Sequence, residues 1–252
     1  MLPNLLTSVS LFGGFYAIIA SIQGRYEAAA IAIIISCVFD GLDGRIARMT
    51  HTTCHFGTEY DSLSDLVAFG VAPGILAFQW ALEPFGRLGW LAAFMYVICG
   101  ALRLARFNVQ KDNLRANYFY GLPIPAAAGF IASLILFSTA INGSTDKKSI
   151  IIILMIYALC YLMVSSIHYL NFKQFDIRHQ KPFNALVSII LIFIVIAYKP
   201  KIILFFIMSL YILSGPVITL YHVYRRRSQA ADARNGIRDL KDRKDLHALV
   251  DK

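Results

Sequence analysis

The chain has 252 residues, of which 58% are hydrophobic and only 15% charged, and its mean hydropathy is +0.60. This apolar share excludes an ordinary soluble domain, and the net charge of +9 does not indicate a nucleic-acid partner, because the basic residues lie between apolar runs and in a short tail. We therefore expect an all-α integral membrane protein, folded as a polytopic helical bundle.

Apolar runs of about 20 residues are long enough to cross the hydrocarbon core of a bilayer. Eight runs are found along the chain, at 4–22, 28–49, 60–82, 88–108, 121–142, 149–169, 183–198 and 201–223. The first has no basic flank before it and no small-residue cleavage site after it, so we expect a retained span and not a signal peptide. Residues 1–224 are predicted to form one membrane domain.

The remaining segment, 225–252, is a charged tail with nine basic and five acidic residues. Contact with anionic lipid headgroups is the favoured interpretation of such a segment, and a solvated tail is the alternative.

Basic residues also predict the orientation of the spans, since loops rich in Lys and Arg stay on the cytoplasmic side. With the N-terminus inside, nine basic residues fall on the inner side, without the tail: Arg45, Arg48, Arg103, Arg106, Lys111, Arg115, Lys173, Arg178 and Lys181. Six fall outside: Arg25, Arg87, Lys147, Lys148, Lys199 and Lys201. We expect a multi-pass protein of the cell (inner) membrane whose polar active site faces the cytoplasm.

The most informative stretch is 40–65, which contains four aspartates. Its first part has the spacing i, i+3, i+4, i+7 and i+8, which is one face of a helix, at Asp40, Asp43, Gly44, Ala47 and Arg48. Its second part has the spacing i, i+4 and i+8, at Gly57, Asp61 and Asp65. If the polar segment between them reverses the chain, the two helices lie antiparallel and the four aspartates converge.

Four carboxylates near hydrocarbon need a positive charge among them, because repulsion and desolvation both disfavour their ionised form. Oxygen ligands favour hard cations such as Mg²⁺, Mn²⁺ or Ca²⁺ over zinc. Two such cations would suit phosphoryl or phosphatidyl transfer. The alternative is that the glycines pack helices and the aspartates reach interfacial water.

The pattern D-x2-D-G-x2-A-R-x8-G-x3-D-x3-D resembles the signature of the CDP-alcohol phosphatidyltransferase family. The resemblance implies two divalent ions, Mg²⁺ or Mn²⁺ with Ca²⁺ as another occupant, held by Asp40, Asp43, Asp61 and Asp65, and it makes Asp65 the catalytic base as well. It also implies CDP-binding by Gly44, Arg48 and Gly57. Members of the family are commonly homodimers.

The opening PN-x-x-T of the chain contains two more candidate CDP-binding residues, Asn4 and Thr7. In the family such an opening often lies beside the nucleotide pocket. The alternative interpretation is that the two residues only cap the start of the first helix.

The end of the fourth run supplies the candidate acceptor site. Arg103 and Arg106 share a helix face at i, i+3, and a guanidinium forms bidentate pairs with carboxylate or phosphate. Lys173 is the third candidate. The segments RLARFN, YFYGLPIPAAAG, SSIHYLNFK and YILSGP resemble the metal-dependent phosphatidylserine synthases of that family, which implies CDP-diacylglycerol and L-serine as substrates, phosphatidylserine and CMP as products, and membrane lipid as the surroundings.

Other functions stay open at this point. The same chemistry with glycerol 3-phosphate, inositol phosphate or choline as acceptor is the nearer alternative, and a divalent-cation transporter is the more distant one. Three residues, His51, Cys54 and His55, do not complete a zinc tetrahedron. The four cysteines, Cys37, Cys54, Cys99 and Cys160, show no paired spacing, so we expect no disulfide.

Overall fold

The computed structural model describes residues 2–50, 55–110, 119–142, 150–165, 167–169 and 199–219. Helices account for nearly all of these residues. In chain order they are α1 (Leu2–Ile22), α2 (Tyr26–Thr50), α3 (His55–Asp65, continued without a break to Phe85), α4 (Arg87–Gln110), α5 (Ile124–Asn142), α6 (Ile150–Val164) and α7 (Pro200–Thr219). Two-residue strands, β1 (Phe119–Tyr120) and β2 (His168–Tyr169), pair antiparallel.

Among the described residues, five helical segments are long and apolar enough to cross a membrane: Asn4–Ile22, Phe56–Phe85, Arg87–Val109, Ile124–Ile141 and Pro200–Thr219. They correspond to the first, third, fourth, fifth and eighth predicted spans. α2 has 25 residues but contains the charged motif, and α6 has only 15. The predicted helical, multi-pass membrane fold is confirmed. The total of eight spans stays a prediction, because run 183–198 lies outside the described residues.

The sixth run was predicted to continue to residue 169, but α6 ends at Val164. The turn that precedes α5 packs against this end. Gly121 has a φ of +80°, and a Cβ there would lie 2.5 Å from the carbonyl oxygen of Met163. The backbone N–H of Leu122 donates to the Leu162 carbonyl at 3.0 Å. The turn therefore supplies a partner for a carbonyl that the end of a helix leaves unpaired.

Two adjacent glycines bring α1 close to its neighbours. A Cβ on Gly14 would lie 2.5 Å from the Cα of Ala68 on α3, and a Cβ on Gly13 would overlap the hydroxyl of Ser36 on α2. Small residues at helix interfaces permit such close approach in membrane proteins, where van der Waals packing drives association. The glycine pair therefore fixes α1 against both helices that carry the aspartate motif.

We expect Gly14→Ala to destabilise the protein, because the added methyl group has backbone atoms of α3 in its place. Overpacking of this kind costs about 2 kcal/mol, so thermal unfolding in detergent should begin several degrees lower than in the wild type. The matched control is Gly41→Ala, since nothing lies within 4 Å of a Cβ at Gly41. Equal melting temperatures for the two variants would contradict the observed packing of α1 on α3.

Helix α3 is irregular directly after the motif. Two of its stretches have π-helical geometry, Leu66–Val71 and Phe78–Leu82. The buried hydroxyl of Tyr96 donates to the Phe69 carbonyl at 3.1 Å, and the hydroxyl of Tyr26 donates to the Gln79 carbonyl at 3.0 Å. Tyrosine side chains thus bond to the backbone in both irregular stretches. The first begins immediately after Asp65, so it sets the direction in which α3 leaves the motif.

Contacts distinguish the two ends of the bundle. At one end Lys201, in the first turn of α7, forms an ion pair with Glu27, in the first turn of α2. At the other end Arg106, near the end of α4, donates to the carbonyl of Val164 at the end of α6 (3.4 Å). We call this second end, where α2, α4 and α6 end and α1 and α3 begin, the polar end. Helix α6 therefore ends at the polar end, whereas α7 begins at the opposite end of the bundle.

Candidate active site

Three of the four motif aspartates meet at the polar end. One carboxylate oxygen each from Asp40, Asp61 and Asp65 lies within 4.8 Å of the other two, and all three residues are half-buried. Asp40 lies on α2, whereas Asp61 and Asp65 lie one turn apart on α3. We call these three residues the aspartate cluster. Like charges this close repel one another strongly outside bulk water, so the cluster favours a cation among its oxygens.

The fourth motif aspartate, Asp43, lies deeper than the other three, with only 4% of its surface exposed. Its Oδ2 accepts a hydrogen bond of 2.9 Å from the hydroxyl of Thr7 on α1. Its charge acts on Asp65 across the site. The structure therefore brings three predicted ligands into one group and places the fourth beside them, bound to α1.

The start of α1 lies against both helices of the motif. Besides the bond from Thr7 to Asp43, the hydroxyl of Ser64 donates to the Thr7 carbonyl at 3.1 Å. The hydroxyls of Ser8 and Tyr60 lie 2.8 Å apart, and Ser8 also donates to the carbonyl of Asn4 (2.8 Å). The PN-x-x-T opening thus packs against Asp43 and against the helix that carries Asp61 and Asp65, and its contact with a nucleotide stays a prediction.

The other predicted CDP-binding residues follow the motif. Gly44 on α2 and Gly57 on α3 are both half-buried. The backbone of Arg48 continues α2, but its side chain lies outside the described part of the structure. Direct contact of these residues with a nucleotide stays a prediction.

Arg103 lies in the half of α4 that ends at the polar end. Its guanidinium interacts electrostatically with Asp65 and with Tyr211 on α7. Its Nε is buried, and within the described residues no hydrogen-bond partner reaches it. A buried guanidinium nitrogen without a partner is costly, so an anionic group that occupies this space would be bound strongly.

The two remaining acceptor candidates differ from Arg103. The guanidinium of Arg106 donates to the Val164 carbonyl, so one of its nitrogens is already used to join α4 to α6. Lys173 lies outside the described residues. Their roles as acceptor ligands stay predictions.

Some polar residues at the site were not singled out from the sequence. Asn108 donates through Nδ2 to the hydroxyl of Ser62 at 2.9 Å, which joins α4 to α3 at a position between Asp61 and Asp65. Ser64 and Tyr60 bond to the start of α1. Their position inside the aspartate stretch was the available signal, because polar side chains on a largely apolar helix need hydrogen-bond partners when they are buried.

The fold and the aspartate cluster define a multi-pass helical membrane protein with a candidate divalent-cation site at one end of the bundle. A model of the family described as CDP-alcohol phosphatidyltransferase matches residues 1–170. The chain belongs to this family, which confirms the resemblance that the spacing of its aspartates predicts.

Curated relatives cover most of the chain. A CDP-diacylglycerol--serine O-phosphatidyltransferase from Helicobacter pylori is 37% identical over 224 residues, which are 88% of this chain and 92% of the relative. An archaetidylserine synthase from Methanothermobacter thermautotrophicus is 41% identical over 67% of this chain and 69% of its own length. A CDP-diacylglycerol--serine O-phosphatidyltransferase from Bacillus subtilis is 35% identical, over 69% and 92%. The chain is therefore a transferase of phospholipid biosynthesis.

Proposed function

We propose that this protein transfers the phosphatidyl group of CDP-diacylglycerol to the hydroxyl of L-serine and releases phosphatidylserine and CMP. The observation that carries the proposal is the aspartate cluster, and the electrostatic interaction of Asp65 with the guanidinium of Arg103 supports it. The names of the relatives from Helicobacter pylori and Bacillus subtilis support the choice of donor and acceptor.

The residues of the site fit a divalent cation. Carboxylate oxygens are the donors that Mg²⁺ and Mn²⁺ prefer, and Ca²⁺ accepts them as well. Three such oxygens are already within 4.8 Å of one another. We propose that Asp40, Asp43, Asp61 and Asp65 hold two divalent ions, which when bound would neutralise the charge of the diphosphate.

Asp65 is the proposed base. Its carboxylate takes the proton from the serine hydroxyl, and the serine oxygen then forms a bond to the phosphorus that carries diacylglycerol. The bond from that phosphorus to the oxygen of CMP breaks, and CMP leaves with the electron pair. Direct attack requires no covalent intermediate on the enzyme. The electrostatic interaction between Asp65 and Arg103 supports this pairing of the proposed base with the proposed acceptor site.

Arg103 is the proposed ligand of the serine carboxylate. Its buried Nε has no hydrogen-bond partner in the described part of the chain, which favours an anion at this place, and a guanidinium binds a carboxylate through two parallel hydrogen bonds. Arg106 and Lys173 are further candidates for the acceptor. Tyr211, which lies on α7 beyond the segment matched by the family model, borders the same guanidinium.

We propose that Gly44, Gly57 and Arg48 contact the CDP moiety, together with Asn4 and Thr7 at the start of α1. Small residues let a phosphate approach the backbone closely. The active site would face the cytoplasm in the cell (inner) membrane, because the basic residues concentrate on that side. By resemblance to the family, the protein would form a homodimer.

The test is release of CMP by the purified protein in detergent, with CDP-diacylglycerol and Mn²⁺ or Mg²⁺. L-serine is compared with glycerol 3-phosphate, inositol phosphate and choline. We expect release with serine alone, loss of release in EDTA, and recovery when Mn²⁺ is restored.

The other outcomes are equally informative. Release with a different acceptor would keep the cluster chemistry and overturn the assignment of serine. If no acceptor gave metal-dependent release, phosphatidyl transfer itself would be overturned, and Mn²⁺ uptake into vesicles containing the protein would test the transport alternative.

A further inference from the structure

We propose that Thr7 is a positioning residue of the metal site, which holds the Asp43 carboxylate by its Oδ2 and so fixes the orientation in which this carboxylate would meet a divalent ion. The inference rests on the proposed metal site. It does not depend on which alcohol accepts the phosphatidyl group.

The geometry around Thr7 is that of a fixed donor. Its side chain is 5% exposed and its hydroxyl lies 2.9 Å from Oδ2 of Asp43, which is itself 4% exposed. Because both residues are buried, water does not compete for the bond, and the carboxylate cannot turn without losing it. The bond therefore selects one orientation of Asp43.

Thr7 also contacts the other helix of the site. Its carbonyl accepts the hydrogen bond from Ser64, the residue immediately before Asp65 on α3. One residue of α1 thus holds both the fourth predicted ligand and the helix that carries two ligands of the aspartate cluster. A substitution at Thr7 should therefore affect metal binding more strongly than it affects the packing of the other helices.

Neighbouring hydroxyls on the same helix show the contrast. Ser10 lies three residues further along α1 and is also buried, at 2% exposure. Its hydroxyl donates to a backbone carbonyl, that of Ser36, at 3.2 Å, and so it packs α1 against α2 without contact to a carboxylate. Ser10→Ala is therefore the matched control for loss of a buried hydroxyl on α1.

The experiment measures Mn²⁺ binding to the full-length protein without substrate, from the free-Mn²⁺ signal in electron paramagnetic resonance. The variants are Thr7→Val, which keeps the volume and removes the donor, Thr7→Ser, which keeps the donor, and Ser10→Ala. Removal of a hydrogen-bond partner of a metal ligand typically weakens metal binding by about 10- to 100-fold. We expect Thr7→Val to weaken Mn²⁺ binding about tenfold. The affinities of Thr7→Ser and Ser10→Ala should stay within about threefold of the wild type.

A second measurement separates positioning from general damage. In an Asp43→Asn background, Thr7→Val should weaken Mn²⁺ binding no further, because both changes act through the same carboxylate. If Thr7→Val is not monodisperse in detergent, Thr7→Ala removes the same hydroxyl without added bulk.

Unchanged Mn²⁺ affinity in Thr7→Val, or an equal loss in the Asp43→Asn background, would overturn the proposal. Unchanged affinity with a raised KM for CDP-diacylglycerol would leave Thr7 with its proposed nucleotide contact alone and remove its role at the metal site. A protein that binds Mn²⁺ as expected but does not use serine would leave this inference standing and remove only the assignment of the acceptor.

Discussion

Asp65→Asn is expected to reduce CMP release about a thousandfold or more, which corresponds to about 4 kcal/mol of transition-state free energy. The asparagine has nearly the same shape but cannot accept the proton of the acceptor hydroxyl, and a positioned base contributes about 10²- to 10⁴-fold. It also removes one of the three carboxylates of the aspartate cluster. Release is measured with saturating CDP-diacylglycerol, L-serine and Mn²⁺.

The control for this variant is Glu59→Gln. Glu59 lies on the same helix and is exposed, two residues before Asp61, and we expect the rate to change less than about threefold on the scale of ordinary surface substitutions. Thermal unfolding supplies the second readout. In EDTA the Asn variant should unfold at the wild-type temperature or higher, because three crowded carboxylates repel one another, and added Mn²⁺ should raise its melting temperature less.

Full activity of Asp65→Asn would contradict the assignment of the base. A melting temperature in EDTA well below that of the wild type would mean that Asp65 has a structural role, and the loss of rate would then carry no information on proton transfer.

Arg103→Gln is expected to raise the KM for L-serine about 30-fold while the KM for CDP-diacylglycerol changes little. A charge-assisted bond of a guanidinium to a carboxylate is worth about 1.5–3 kcal/mol, and a 30-fold rise, about 2 kcal/mol, corresponds to the loss of one such bond, since the glutamine amide can still donate one neutral hydrogen bond. Among the described residues the buried Nε has no hydrogen-bond partner, so this bonding capacity is available to a ligand. Initial rates over a range of serine concentrations measure the effect.

The matched control is Arg25→Gln. Arg25 lies at the end of the bundle opposite the site, where its guanidinium donates to Gln23 and lies over the ring of Tyr16, and its removal should leave both KM values unchanged. Ethanolamine, a serine analogue without the carboxylate, gives an independent check. Its KM should be nearly the same for the wild type and Arg103→Gln. Equal losses for serine and ethanolamine would show that Arg103 acts on another group.

The amino-acid sequence by itself determined the class of protein and the centre of the site. Apolar runs long enough to cross a bilayer determined the membrane fold. Backbone N–H and C=O groups have no water to bond to in hydrocarbon, so such a run forms a helix, which pairs them internally. The spacing of Asp61 and Asp65 determined that they share one face of α3, which is a property of the helical repeat alone. Family membership followed from the same spacing.

The ends of the spans were less well determined by the sequence. A hydropathy count treats all apolar residues alike, so it extended the sixth run past Val164, where the turn at Gly121 ends α6. That turn comes from a segment about 40 residues earlier, and no local pattern announces it.

Only the tertiary structure separated Arg103 from Arg106 and joined Thr7 to Asp43. The two arginines have equal chemistry and lie one turn apart on α4, yet one has a buried Nε and interacts electrostatically with Asp65, whereas the other donates to the end of α6. Thr7 and Asp43 are 36 residues apart, and their contact exists because Gly13 and Gly14 let α1 approach α2 and α3 closely. Helical periodicity predicts which residues share a face, whereas the packing of the helices decides what that face meets.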